Sequence, residues 1–165
     1  MEITKQRLIG MRPAGRLKRF ISQTKNTEKP VKIVSLIGTE FTSKDLLWLA
    51  GRFGSELGYE KIMKFSCGCA LVNLDRIEKY SPEFEVIKKF LKDPQYGRHD
   101  HLSFCCERAA KAAHKNHDGL AVDAARVARD VIRAGYGTYP DETAISASYR
   151  IDNETVNKLL FELYS

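Results

Sequence analysis

HLSFCCERAAKAAHKNH (residues 101–117) and GLAVDAARVARDVIRA (residues 119–134) decide how this chain folds. In the first segment Ala109, Ala110, Ala112 and Ala113 follow Phe104. In the second, Ala121, Ala124, Ala125, Ala128, Val131 and Ile132 recur at helical spacing. Alanine favours helix intrinsically, and its small side chain lets two helix axes approach closely. The spacing predicts two helices packed on each other, joined at the short break around Asp118.

The same periodicity extends outward in both directions. Thr42 or Ser43 is placed to cap a helix running through Leu46-Leu47-Trp48-Leu49-Ala50 toward Phe53, with Gly54 near its end. From Tyr59 to Tyr80, Ile62, Phe65, Cys69, Val72 and Ile77 form a helical stripe. Ser81-Pro82-Glu83 reads as a capping serine followed by proline at the first helical position, with acidic groups facing the helix dipole. That helix continues through Ile87 and Leu91 and stops at Asp93-Pro94. A further helix begins near Pro140. The last is capped by Asn153 and buries Val156, Leu159, Leu160 and Leu163.

Leu17, Phe20 and Ile21 give the N-terminal part a short helical pattern, and Ser22 to Pro30 reads as a loop. Val31 to Ile37 is rich enough in β-branched residues for a strand. No second strand-like run offers it a partner, so a short helix is preferred there. The fold expected over residues 1–165 is a single all-α domain, a compact multi-helix bundle or its variant, stacked helix pairs.

No apolar run approaches the length of a membrane span, and no apolar signal region follows Met1-Glu2-Ile3-Thr4-Lys5, so a cytoplasmic protein is expected. Four cysteines, Cys67, Cys69, Cys105 and Cys106, are too few for a disulfide scaffold of this size and are expected as thiols.

Charge is unevenly distributed. Residues 1–32 hold nine basic and two acidic groups, whereas the remainder holds 18 basic and 19 acidic groups. A basic N-terminal segment on a neutral body suits a phosphate backbone or an acidic protein face. Arg12, Arg16, Lys18 and Arg19 are its candidate contacts. Tyr136 and Tyr139, in a glycine-proline turn, are the other candidates for partner binding. Trp48, the single tryptophan, lies in the most apolar helix and is expected in the core rather than at an interface.

His101 and Cys105 share a helix face at i, i+4, and His114 and His117 pair at i, i+3. Thirteen residues separate His101 from His114, about 220° around a helix. One continuous helix cannot aim both pairs at one ion, so no metal or other cofactor is expected. Cys67-Gly68-Cys69 has the wrong spacing for a zinc knuckle. Nothing marks an orienting group or oxyanion donor beside Cys105 or Cys106, so no catalytic residue is assigned and no enzyme is expected. The glycines at 51, 54, 135 and 137 follow no strand and form no phosphate loop.

Leu46-Leu47-Trp48-Leu49-Ala50-Gly51-Arg52, Cys67-Gly68-Cys69-Ala70-Leu71, Phe90-Leu91-Lys92-Asp93-Pro94 and the alanine-patterned helices together resemble a family of bacterial immunity proteins. These are helical antidotes of polymorphic or contact-dependent toxin systems. The resemblance covers roughly residues 44–150. It implies a toxin inhibitor that occludes its cognate toxin by direct protein binding. For a nuclease toxin it also implies an acidic antidote. The basic front therefore points to another target, or to contact through residues 138–165, where Arg150 and Lys158 face five acidic groups. Two alternatives stand beside it: a nucleic-acid-binding module using the basic segment, and a phage-encoded inhibitor of a host defence complex.

Overall fold

The computed structural model describes residues 1–12, 15, 17–18, 21, 29–95, 99–134 and 140–165. Within them the chain is an all-α bundle with one minor two-stranded sheet. Strand β1 (Glu2–Ile3) and helix α1 (Lys5–Gly10) are followed by strand β2 (Val31–Lys32), which runs into a 3-10 turn at Ile33–Leu36. Next come α2 (Ser43–Arg52), α3 (Gly54–Leu57) and α4 (Tyr59–Val72). A 3-10 helix (Leu74–Tyr80) leads to α5 (Phe84–Lys92), α6 (Asp100–Lys115), α7 (Gly119–Ala134), α8 (Pro140–Ser148) and α9 (Asn153–Tyr164).

The alanine-rich pair forms as its sequence dictates. Helices α6 and α7 make the most extensive contact in the molecule, with Ala109, Ala113, Ala121, Ala125 and Ala128 inaccessible to solvent. Helix α4 is the central post, packed against α5, α7, α8 and α9, while α2 lies across α8 and α9. On α2, Leu46, Leu47 and Leu49 are fully buried. Trp48 on the same helix is half-buried, packed against the edge of the core with the Arg52 guanidinium 5.2 Å from its ring centre. A reciprocal capping box closes the start of α2. The Thr42 hydroxyl accepts from the Asp45 amide at 3.3 Å, and the Asp45 carboxylate accepts from the Thr42 amide at 2.9 Å.

Four boundaries differ from expectation. Val31 to Ile37 is neither strand nor helix alone: Val31 and Lys32 pair antiparallel with Ile3 and Glu2 before the chain tightens into the 3-10 turn. The partner is only two residues long, too short to carry a strand pattern of its own. The stripe from Tyr59 to Tyr80 breaks at Asn73, after which 3-10 geometry takes over. Helix α5 begins at Phe84 rather than beside Ser81. Glu83 is the residue at its cap, and Ser81 makes no cap bond. Asp152, not Asn153, caps α9, accepting from the Thr155 amide at 2.8 Å.

Both ends of the described chain lean on the same core. Tyr164 is buried and donates its hydroxyl to the Leu46 carbonyl, while the Met1 ammonium donates to the Tyr164 carbonyl at 3.3 Å. Among the described residues no helix is long and apolar enough to cross a membrane.

Candidate functional site

The basic segment is anchored by its own apolar residues. Leu8, Leu17 and Ile33 are each at most 2% exposed, so the chain on either side of residues 22–28 is held to the body. Arg7 is used internally, paired with Glu56 and stacked 4.4 Å from the Phe53 ring centre. Arg12, Lys18, Lys29 and Lys32 are exposed and make no ion pair with a described group. Arg12 also holds a left-handed backbone conformation (φ 52°) just past the end of α1. Of the candidate contacts, Arg16, Arg19, Tyr136 and Tyr139 lie outside the described residues.

A groove of about 270 Å³ opens between the end of α4, helix α7 and the α8–α9 turn. Ala70, Ala124 and Val127 form part of its floor, and Leu120 is 60% exposed at its edge. Its rim charges are satisfied locally. Arg150 pairs with Asp123, and Arg76 donates to the Asn73 side chain at 3.3 Å. A partner docking there would have to break these bonds or leave them standing.

The densest chemistry lies where the start of α5 meets α6. His101, Cys105 and Arg108 occupy one face of α6, and Glu83 reaches that face from the cap of α5. The Cys105 sulfur lies 3.6 Å from His101 Nε2. Arg108 Nη2 donates to Glu83 Oε1 at 2.6 Å and approaches the sulfur at 3.5 Å. Cys105 is buried, Glu83 half-buried and His101 exposed, so the cluster opens to solvent on one side. Burial opposes ionisation of Glu83. Its backbone amide and the charge and hydrogen bond of Arg108 outweigh that effect, and its pKa is lowered.

The i, i+4 pairing of His101 and Cys105 was readable from the sequence, whereas Glu83 and Arg108 were not. Acidic residues after Ser81-Pro82 suggested only a helix-dipole role, and the register of α5 against α6 leaves no mark in a single sequence. The other histidines lie apart from the cluster. His117 is past the end of α6 with φ 56°, His114 is exposed, and the His99 ring packs 4.4 Å from Phe90.

The remaining cysteines are core residues. Burial pushes the thiols of Cys67, Cys69 and Cys106 up to about 12, where the nucleophilic thiolate is scarce at neutral pH.

No family model, no curated protein and no solved structure matches the chain.

Proposed function

We propose that this chain is an immunity-type binding protein that neutralises a cognate bacterial toxin by covering one of its working surfaces, with no reaction of its own. One observation carries the choice of contact: four exposed cations, Arg12, Lys18, Lys29 and Lys32, make no ion pair with a described group and lie on a segment pinned by Leu8, Leu17 and Ile33. Cations fixed to a folded body lose less conformational entropy on binding than those of a loose tail, and they complement an acidic protein face. Arg16, Arg19, Tyr136 and Tyr139 belong to the proposed contact on sequence grounds alone.

The same charges could serve a phosphate backbone. Only one aromatic residue, Phe20, interleaves residues 1–32, which is sparse for a surface that stacks bases. The protein reading is therefore preferred, and nucleic acid becomes an outcome of the test. The purified chain is titrated with whichever product of an adjacent gene proves toxic and, separately, with duplex DNA and single-stranded RNA. The Arg12→Gln, Lys18→Gln, Lys29→Gln, Lys32→Gln variant is measured in parallel. Tight binding of the toxic product that weakens on the order of tenfold or more in the variant supports the proposal. Binding of nucleic acid that falls steeply with salt, with none of the protein, replaces it by the nucleic-acid reading.

A further inference from the structure

We infer that Glu83, His101 and Cys105 form a binding site for a zinc-class divalent cation. Each offers one ligand atom, and the three atoms lie within 4.8 Å of one another. Two sit on consecutive turns of α6, and the third comes from the cap of α5, so the site spans two elements that already pack on each other.

Geometry and ligand chemistry agree on the metal class. Zinc–sulfur bonds of about 2.3 Å and zinc–nitrogen bonds of about 2.0–2.1 Å, at a tetrahedral angle, put sulfur and nitrogen about 3.6 Å apart. Cys105 Sγ and His101 Nε2 are separated by 3.6 Å. One ion fits between them without moving α6. Thiolate, imidazole and carboxylate together suit zinc or cobalt and are a poor set for magnesium or calcium, which take oxygen ligands.

Three protein ligands with one open position leave room for water or an exchangeable donor.

Arg108 competes with a cation for the same ligands. Its guanidinium bridges Glu83 and Cys105, bringing positive charge to the place where a cation would bind. Entry of a metal ion displaces it. The released side chain is half-exposed and already lies 5.5 Å from the centre of the exposed Phe104 ring, where it can remain. Cys105 gives up its thiol proton to solvent as the sulfur–metal bond forms, and Glu83 and neutral His101 bind without losing one.

Metal-free protein is titrated with Co²⁺ and then with Zn²⁺. One equivalent of Co²⁺ should give a thiolate-to-cobalt charge-transfer band that Zn²⁺ abolishes. His101→Ala and Glu83→Gln alter exposed or half-exposed side chains and should weaken binding on the order of 10–100-fold or more. Arg108→Ala removes the competing cation and should tighten binding a few-fold, the scale of an exposed ion pair. Zn²⁺ should also slow alkylation of Cys105 in the unaltered protein, a reading that needs no variant. Absence of the charge-transfer band, or metal affinity unchanged in both His101→Ala and Glu83→Gln, would overturn the assignment.

Discussion

Tyr80 donates its phenolic hydroxyl to the Asp118 carboxylate across 3.0 Å, joining the end of the 3-10 helix to the turn between α6 and α7. The same carboxylate accepts from the Ala121 amide at 3.1 Å, capping α7, and pairs with Lys79 at 3.2 Å. Above this turn a small apolar cluster of Ala113, Ala121 and Val122 packs with Tyr80. One aspartate thus fixes both the start of α7 and the seat of the helix pair.

Asp118→Ala should lower the melting temperature by roughly 2–4 °C, the scale of a lost helix cap in a chain of this size. The Ala121 amide, then Lys79 and Tyr80, hold the Asp118 pKa below the ordinary 3.8. Stability from a depressed carboxylate pKa is fully present above the unfolded value and lost as pH falls through the folded one. Thermal melts of wild type and Asp118→Asn should therefore differ at pH 7, and the difference should shrink as pH falls below 3.8. A difference that stays constant as pH falls through the acid range, until both proteins unfold, would show that the charge contributes nothing.

Gly68 lies where α4 passes α9, and a methyl group there would stand 2.8 Å from Leu159 Cδ2. The obstructing atom is the end of a flexible side chain, so alanine can be accommodated by a rotamer change. Valine cannot be placed so easily, and Gly68→Val should cost roughly 1–3 kcal/mol by overpacking. Combining it with Leu159→Ala should recover part of that loss, read as coupling in a double-mutant cycle from urea unfolding. Additive losses would place the strain elsewhere.

The buried thiols predict weakness in alkali. Cys67, Cys69 and Cys106 hold their protons up to about pH 12 in the folded chain, because burial disfavours the thiolate. Unfolded, each ionises near its ordinary value of 9.0. Their protonated state is no handicap below pH 9. Between 9 and 12 the unfolded chain gains, by up to about 1.4 kcal/mol per pH unit for each thiol. The urea midpoint should fall steadily above pH 9, and Cys67→Ala should reduce the slope. A midpoint independent of pH through 10.5 would mean that these side chains reach water.

What could be read in advance follows the range of the forces involved. The α6–α7 pair was legible because alanine spacing and the break at Asp118 are local. The start of α2 was legible because Thr42 and Asp45 stand three residues apart in one turn. The β1–β2 pairing was not, since Ile3 meets Val31 across 28 positions and neither strand exceeds two residues. Trp48 was half-read: it does pack against the core, but at its edge, because Leu47 and Leu49 take the interior positions of α2. At the side-chain cluster, His101 and Cys105 announced themselves by spacing. Glu83 joins them only through the packing of α5 beside α6, a relationship that no local spacing encodes.

The basic segment carries the central claim, and growth of cells exposed to whichever product of an adjacent gene proves toxic tests it most directly. Cells that also produce the wild-type chain should grow. Cells producing the Arg12→Gln, Lys18→Gln, Lys29→Gln, Lys32→Gln variant at equal level should be inhibited, although its circular dichroism matches wild type, because exposed charges contribute little to stability. Inhibition despite abundant wild-type chain, or full protection by the variant, would contradict neutralisation through these cations.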